Sequence, residues 1–252
     1  MSRGLGDVYK RQMWMYGYGY GYGYYGFDWT YILLIIGMLL SLAASARLKS
    51  TFSYYRKIRS ASGLTGAETA ERILRAAGIT DVHVRAISGS LTDHYDPRIK
   101  TVSLSEDIYD KTSLAAVGVA AHECGHAIQH AIGYAPLEFR SAIVPVANFG
   151  STLSWPLFLI GLFSGIRPLV TAGIVLFSLA VLFQLVTLPV EINASSRALK
   201  MLQSTGILGS DETKGARKVL TAAAMTYVAA LAASILQLLR LLILAGGRRR
   251  DD

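Results

Sequence analysis

The chain has 252 residues, 52% of them hydrophobic and only 17% charged, with a mean hydropathy of +0.37. That balance excludes an ordinary soluble domain of this length and points to membrane segments. The net charge of +8 therefore reports basic loops beside a bilayer rather than a nucleic-acid partner, and the lone Cys124 excludes an intrachain disulfide.

The opening "MSRGLGDVYKRQ" lacks the apolar core and small-residue cleavage site of a signal peptide. It reads as a non-native leader, with the start at Met13 or Met15. "YGYGYGYGYY", Tyr16 to Tyr25, alternates glycine and so has no packable face; residues 1–28 are set aside as leader plus a Tyr/Gly-rich tail.

Four uncharged runs follow: Trp29 to Ala46 (18 residues), Ser141 to Ile166 (26), Pro168 to Val190 (23) and Val219 to Leu239 (21). About 20 apolar residues rising 1.5 Å each span a hydrocarbon core of roughly 30 Å. The expected order is a span at 29–46, a small α/β domain at 47–140 and a membrane hairpin at 141–190. A helix at 191–218 follows, then an apolar helix at 219–245 that either spans or lies against the domain, and a charged tail at 246–252. Pro189 is read as the point where the chain redirects and a new helix, "VEINASSRALKML", begins.

Lys and Arg cluster after the first run (Arg47, Lys49, Arg56, Lys57, Arg59) and between the third and fourth (Arg197, Lys200, Lys214, Arg217, Lys218). Only Arg167 lies in the opposite loop. This bias puts 47–140 and 191–218 in the cytoplasm; Arg248, Arg249 and Arg250 conflict with it if the fourth run spans.

Within 47–140, Thr65-Gly66-Ala67-Glu68 matches a capping box opening "AETAERILRAAG", a helix ending at Gly78. "DVHVRAI" and "KTVSLS" read as short strands and "LTDHY" as a possible third, with Asp96-Pro97 as the turn. Thr112 or Ser113 caps a helix through "SLAAVGVAAHECGHAIQHAI", which stops near Gly133 and Pro136.

That helix carries His122-Glu123-Cys124-Gly125-His126. Residues i and i+4 share a helix face, so the two imidazoles can converge on one ion; the competing reading is a pair of hydrogen-bonded interior histidines. Glu123 adjoins the first ligand, where it can act as general base on metal-activated water. Cys124 lies off that face, and Gly125 permits close approach of another element. His130 sits roughly 12 Å along the axis from His122, too far to share the ion. Among the downstream carboxylates Glu138, Glu191, Asp211 and Glu212, Glu191 is best placed as the third ligand. An out-and-back pair of spans returns it to the membrane face that the chain left; the alternative is an ordinary interfacial carboxylate.

"SGLTGAETAERIL", "LTDHYDPRIKTVSLS", "AAVGVAAHECGHAIQH", "YAPLEFRSAIVPVANFGS", "LSWPLFLIGL", "LFQLVTLPVEINASSRAL" and "GARKVLTAAAMTYVAA" resemble, in the same order, the bacterial YugP-type neutral zinc metallopeptidases. The resemblance covers residues 28–245. More distantly the chain is similar to HtpX-like heat-shock proteases and CAAX prenyl proteases, which carry Glu-x-x-x-Asp after a membrane hairpin. The resemblance implies an α-helical membrane protein with a small α+β zincin-like cytoplasmic domain and three to four transmembrane helices. It implies one Zn²⁺ per chain on His122, His126 and Glu191, with Glu123 as general base.

Two departures concern the groups behind the ligands. Ser195 stands at the position of that Asp, and Asn193 stands where relatives often have Asp, so any hydrogen bond from here to a ligand imidazole is neutral and weaker. "LTDHYDPRIKTVSLS" precedes the metal helix as a substrate-binding edge strand would, so Asp93, His94 and Tyr95 can face the cleft, with His94 or Tyr95 helping to stabilise an oxyanion; a capped turn with a solvated His is the alternative. Arg197 is either a substrate or ligand-supporting contact or a membrane-flanking Arg.

The expected function is a zinc-dependent endopeptidase of the bacterial plasma membrane, multi-pass, with its active site at the cytoplasmic face. Its partners are peptide or membrane-protein substrates and the lipid bilayer, with no nucleic acid. A non-catalytic zinc-binding scaffold is the rival from another class, against which Glu123 argues. A site-2-type intramembrane protease would need the motif inside a true span and a Leu-Asp-Gly partner, which is absent. A metal transporter would put ionisable ligands within the spans.

Overall fold

The computed structural model describes residues 28–247; the leader, the Tyr/Gly-rich tail and Arg248 to Arg250 lie outside that range. Apart from Trp29, Thr30, Gly165 and Ile166 at their margins, the uncharged runs lie within longer helices: α1 (Tyr31–Tyr55), α4 (Ala135–Ser164), α5 (Arg167–Ser204) and α6 (Ser210–Gly247). All four are long and apolar enough to cross a membrane. The protein is therefore mostly helical, with a small sheet between residues 83 and 105.

Small residues set how closely these helices approach. Gly37 of α1 packs on Ala233 of α6, Gly215 of α6 packs on Tyr55, and Thr30 meets Arg240, so α1 and α6 run antiparallel along their length. In the α4–α5 hairpin a Cβ on Gly161 would lie 2.6 Å from the Val170 backbone, and one on Gly173 would lie 2.8 Å from Phe158. Gly165, at φ +74°, makes the left-handed turn between the two. The ends of α1 and α5 and the starts of α4 and α6 thus gather on one side, with the sheet.

The sheet side follows the local signals. Thr65 accepts from the Glu68 amide while the Glu68 side chain takes the Thr65 amide, a complete capping box opening α2 (Gly66–Ala76). Strands β1 (His83–Ile87), β2 (His94–Asp96) and β3 (Thr101–Ser105) make a sheet in the order β1-β3-β2. β1 is parallel to β3, with Val84 opposite Val102, and β2 is antiparallel, with Tyr95 opposite Val102. β3 is buried along its whole length, as a central strand should be. Helix α3 (Leu114–Ala131) starts at Ser113, whose Oγ accepts from the Ala116 amide.

Two features differ from the expected order. Residues 47–140 do not close their own core: Ile73, Leu104, Ile108 and Val117 pack with Leu202, Ile207 and Val219 from around the α5–α6 turn. Pro189 starts no new helix but lies inside the continuous α5. Its ring removes one backbone hydrogen bond, yet the buried contacts of Val190, Glu191 and Ala194 just beyond it hold the rod in line. Tertiary packing outweighs the local breaker here.

The decisive contact is where α3 crosses α5. A Cβ on Gly125 would lie 2.4 Å from the Ala194 carbonyl oxygen, so only glycine admits this crossing. Gly125→Ala must push the two backbones apart. A loss of about 1–3 kcal/mol is expected, read as a lower unfolding temperature in detergent, with poorer zinc retention than a Gly118→Ala control. Gly118 meets only the Ala216 methyl, at 3.4 Å.

Candidate metal centre

The i, i+4 spacing on α3 puts His122 and His126 side by side, their rings 4.8 Å apart and nearly perpendicular. The crossing at Gly125 brings Glu191 of α5 against both. Glu191 Oε2 is 3.2 Å from His122 Nε2 and 3.5 Å from His126 Nε2. These three side chains form the group whose ligand atoms lie within 4.8 Å of one another. Two donor atoms each about 2.05 Å from a tetrahedral zinc ion stand roughly 3.3 Å apart. The two separations from Glu191 match that edge and the third lies within 4.8 Å, so the residues fit the ion.

The far nitrogen of His126 shows which tautomer that ring carries. His126 Nδ1 is 3.0 Å from Gln129 Oε1, while Gln129 Nε2 donates to the Val190 carbonyl and to Asn193 Oδ1. Gln129 Oε1 can therefore only accept, so His126 carries its proton on Nδ1 and turns Nε2 inward. His122 Nδ1 lies 3.1 Å from Ser195 Oγ, a hydroxyl that can accept from it or donate to it. Two imidazole nitrogens and a carboxylate oxygen thus converge on one point. A cation there would offset the buried charge of the carboxylate.

Glu191 is 3% exposed, and its second oxygen, Oε1, faces Arg140 Nη1 of α4 at 3.6 Å. The guanidinium holds Oε1 and leaves Oε2 to the imidazoles. Tyr227 of α6 turns its hydroxyl to the same carboxylate from the other side. Glu123 is buried beside the group; burial pushes its carboxyl above the usual carboxylate range, although the two imidazoles pull it back. A general base near neutrality needs such a shift.

A cleft of about 190 Å³ opens onto this group. His122, Glu123, Glu191, Ser195 and Tyr227 line it, with Leu48 and Phe52 from α1 and Asp93 from the loop before β2. Asp93 is held by the amide and hydroxyl of Ser105, at 2.7 and 3.0 Å. His94 and Tyr95 are not brought to this group. His94 Nδ1 bonds the Thr92 carbonyl, and the Tyr95 hydroxyl bonds His130 Nδ1 at 2.9 Å. Cys124 points the other way, its thiol on the Ala70 carbonyl.

Asn193 reaches His126 only through Gln129, and Arg197 Nε donates to Asn193 Oδ1 at 2.7 Å. The chain His126–Gln129–Asn193–Arg197 is a continuous hydrogen-bonded support. Gln129, Arg140 and Tyr227 are the residues that sequence reasoning missed. A neutral amide on a buried helix three residues after a ligand His, and one phenol in an Ala-rich apolar run, are signals that could have found the first and last.

The profile of the family described as "Putative neutral zinc metallopeptidase" matches residues 30–246. The chain is 50% identical over 220 residues to "Putative membrane protease YugP" of Bacillus subtilis (strain 168), covering 86% of this chain and 98% of that protein. No solved structure matches.

Metal analysis by plasma mass spectrometry tests the cluster. Near-stoichiometric zinc is expected in wild type and far less in Glu191→Ala. Gln129→Leu should bind zinc roughly 10–100-fold more weakly, because it removes the acceptor that fixes the His126 tautomer. Equal affinity in Gln129→Leu would show that this amide does not support the ligand.

Proposed function

The chain belongs to this family of neutral zinc metallopeptidases, and on that premise we propose that it is a membrane-embedded zinc endopeptidase acting at the cytoplasmic face. The observation that carries the reading is the convergence of His122 Nε2, His126 Nε2 and Glu191 Oε2 beside a buried, cleft-lining Glu123. A metal site alone has no need of Glu123. One ion per chain is held by His122, His126 and Glu191.

When bound, zinc lowers the pKa of a coordinated water to about 7 and polarises the scissile carbonyl. Glu123 takes the proton from the attacking water and delivers it to the leaving amine. Tyr227 lines the cleft with its hydroxyl beside Glu191, from where it can swing to donate to the oxygen that gains charge as the carbonyl carbon turns tetrahedral. Arg140 keeps Glu191 turned to the ligand site through Oε1. Leu91 and Asp93 border the cleft just before β2, so an extended peptide pairing along β2 reaches Glu123. This arrangement of sheet edge and metal helix supports a zincin-like reading of the sheet side.

The location of the chemistry follows from the helices. α3 is not among the four long apolar helices, and it packs on the ends of α5 and α6 gathered on the sheet side. That favours cleavage at the membrane face over cleavage within the bilayer interior. The cytoplasmic assignment rests on the Lys and Arg bias around α1, α5 and α6. Arg240 is no counter-argument, since it is buried, stacks on Tyr31 at 4.5 Å and bonds Thr30 Oγ1.

Cleavage of casein and of a membrane-anchored reporter by the purified protein in nanodiscs tests the reading. Glu123→Gln should keep its zinc and lose turnover by at least about 10²-fold. Tyr227→Phe should keep zinc and KM and lower kcat by about 10²-fold. Zinc-loaded wild type without turnover on any peptide would leave the scaffold reading in place of the enzyme.

A further inference from the structure

A second cavity, of about 420 Å³, lies on the α1–α6 pair away from the metal centre. Arg47, Ser50, Thr51, Tyr54 and Tyr55 line it from α1, and Arg217, Lys218, Thr221 and Ala222 from α6. It therefore holds three cations and five hydroxyls, and no carboxylate lines it. Arg47, Arg217 and Lys218 make no ion pair among the described residues. Like charges gathered without a counter-ion are unfavourable unless an anion joins them.

The depth of the cavity identifies the anion. Arg47 is the first charge after the uncharged run ending at Ala46, and Lys218 is the last before the run beginning at Val219. Both therefore stand at the edge of the hydrocarbon, where lipid phosphates lie. One and two helical turns toward the membrane interior, Ala43 and Leu40 on α1 and Met225 and Val228 on α6 continue the same faces as exposed apolar surface. A free phosphate has no use for that track; an acyl chain does.

We propose that this cavity binds the headgroup of an anionic phospholipid, with Arg47, Arg217 and Lys218 on the phosphate, the hydroxyls on the remaining oxygens, and the acyl chains along α1 and α6. The site has a consequence for the cleft. Leu48 and Phe52, and Leu220 and Ala223, line the metal cleft from the opposite face of the same two helix ends. A lipid clamped between Arg47 and Lys218 therefore braces that wall. The proposal is independent of whether the metal centre cleaves peptides.

The full-length protein in a neutral detergent, titrated with dioleoyl phosphatidylglycerol, dioleoyl phosphatidylcholine or inorganic phosphate and read by native mass spectrometry, tests it. Phosphatidylglycerol should be retained at least tenfold more tightly than phosphatidylcholine and should raise the unfolding temperature more. Each cation contributes about fivefold, so Arg47→Gln/Arg217→Gln/Lys218→Gln should erase the preference. Lys49→Gln, at the same depth but outside the cavity, should keep it. The zinc content of the triple variant reports whether it is folded, and Arg217→Gln alone, expected to lose about fivefold, decides the matter if it is not. Equal retention of the two lipids, equal losses in Lys49→Gln, or displacement of phosphatidylglycerol by millimolar inorganic phosphate would overturn the proposal.

Discussion

The site depends on one backbone crossing, where Gly125 of α3 rests on the Ala194 carbonyl of α5. At any wider separation Glu191 would not reach between two imidazoles fixed on the other helix. The crossing explains why a glycine stands between His122 and His126, and why the third ligand comes from a helix 65 positions further on. It also forces a carboxylate into a place that is only 3% exposed. An unpaired charge there would cost several kcal/mol. Arg140 at 3.6 Å offsets part of that cost, and a cation held between Glu191 and the two histidines would offset the rest.

The hairpin makes the crossing possible without a loop near the chemistry. Pro168 to Val190, 23 residues, covers roughly 34 Å at 1.5 Å each, enough to recross a bilayer. Because α5 continues through Pro189, the residues that recross and the residues that reach the histidines are one rod. Glu191, Asn193 and Ser195 inherit the placement of that rod, whose first turns are fixed by the close glycine contacts with α4. A group carried on a packed helix is held more tightly than one on a loop. The membrane segment is in this sense part of the scaffold of the candidate metal site.

Much of this was legible because the signals are local. The capping box at Thr65, the Ser113 cap and the i, i+4 histidines each need only a few adjacent residues. The choice of Glu191 came from counting, since a hairpin must return the chain to the face that it left. The misses have a common physical origin in tertiary contact. Pro189 reads as a breaker until its buried neighbours are seen. Arg140, the last charge before an uncharged run, is indistinguishable in sequence from a membrane-flanking arginine. His94 and Tyr95 lie on the strand expected at the cleft, yet Tyr95 is taken up by His130, whose ring is 5.8 Å away. Nothing in the sequence says that the phenol at the cleft comes from α6 instead.

The departures at Asn193 and Ser195 gain a meaning from the charges around them. A carboxylate behind a ligand imidazole makes it more basic and tightens the metal. Here both supports are neutral, a hydroxyl on His122 and an amide on His126. Among the described residues the cation that reaches the ligand carboxylate is Arg140, and it draws electron density from Glu191. Both choices weaken donation to the ion. A zinc ion held this way would keep more of its positive charge, and in the proposed enzyme it would supply stronger activation of water and carbonyl than a carboxylate-backed site. Affinity is the quantity given up, and the burial of Glu191 and the rigidity of the α3–α5 crossing compensate, because ligands that need no reorganisation lose little on binding. Strong electrophilicity with geometric rather than electrostatic retention is the balance that this ligand set encodes.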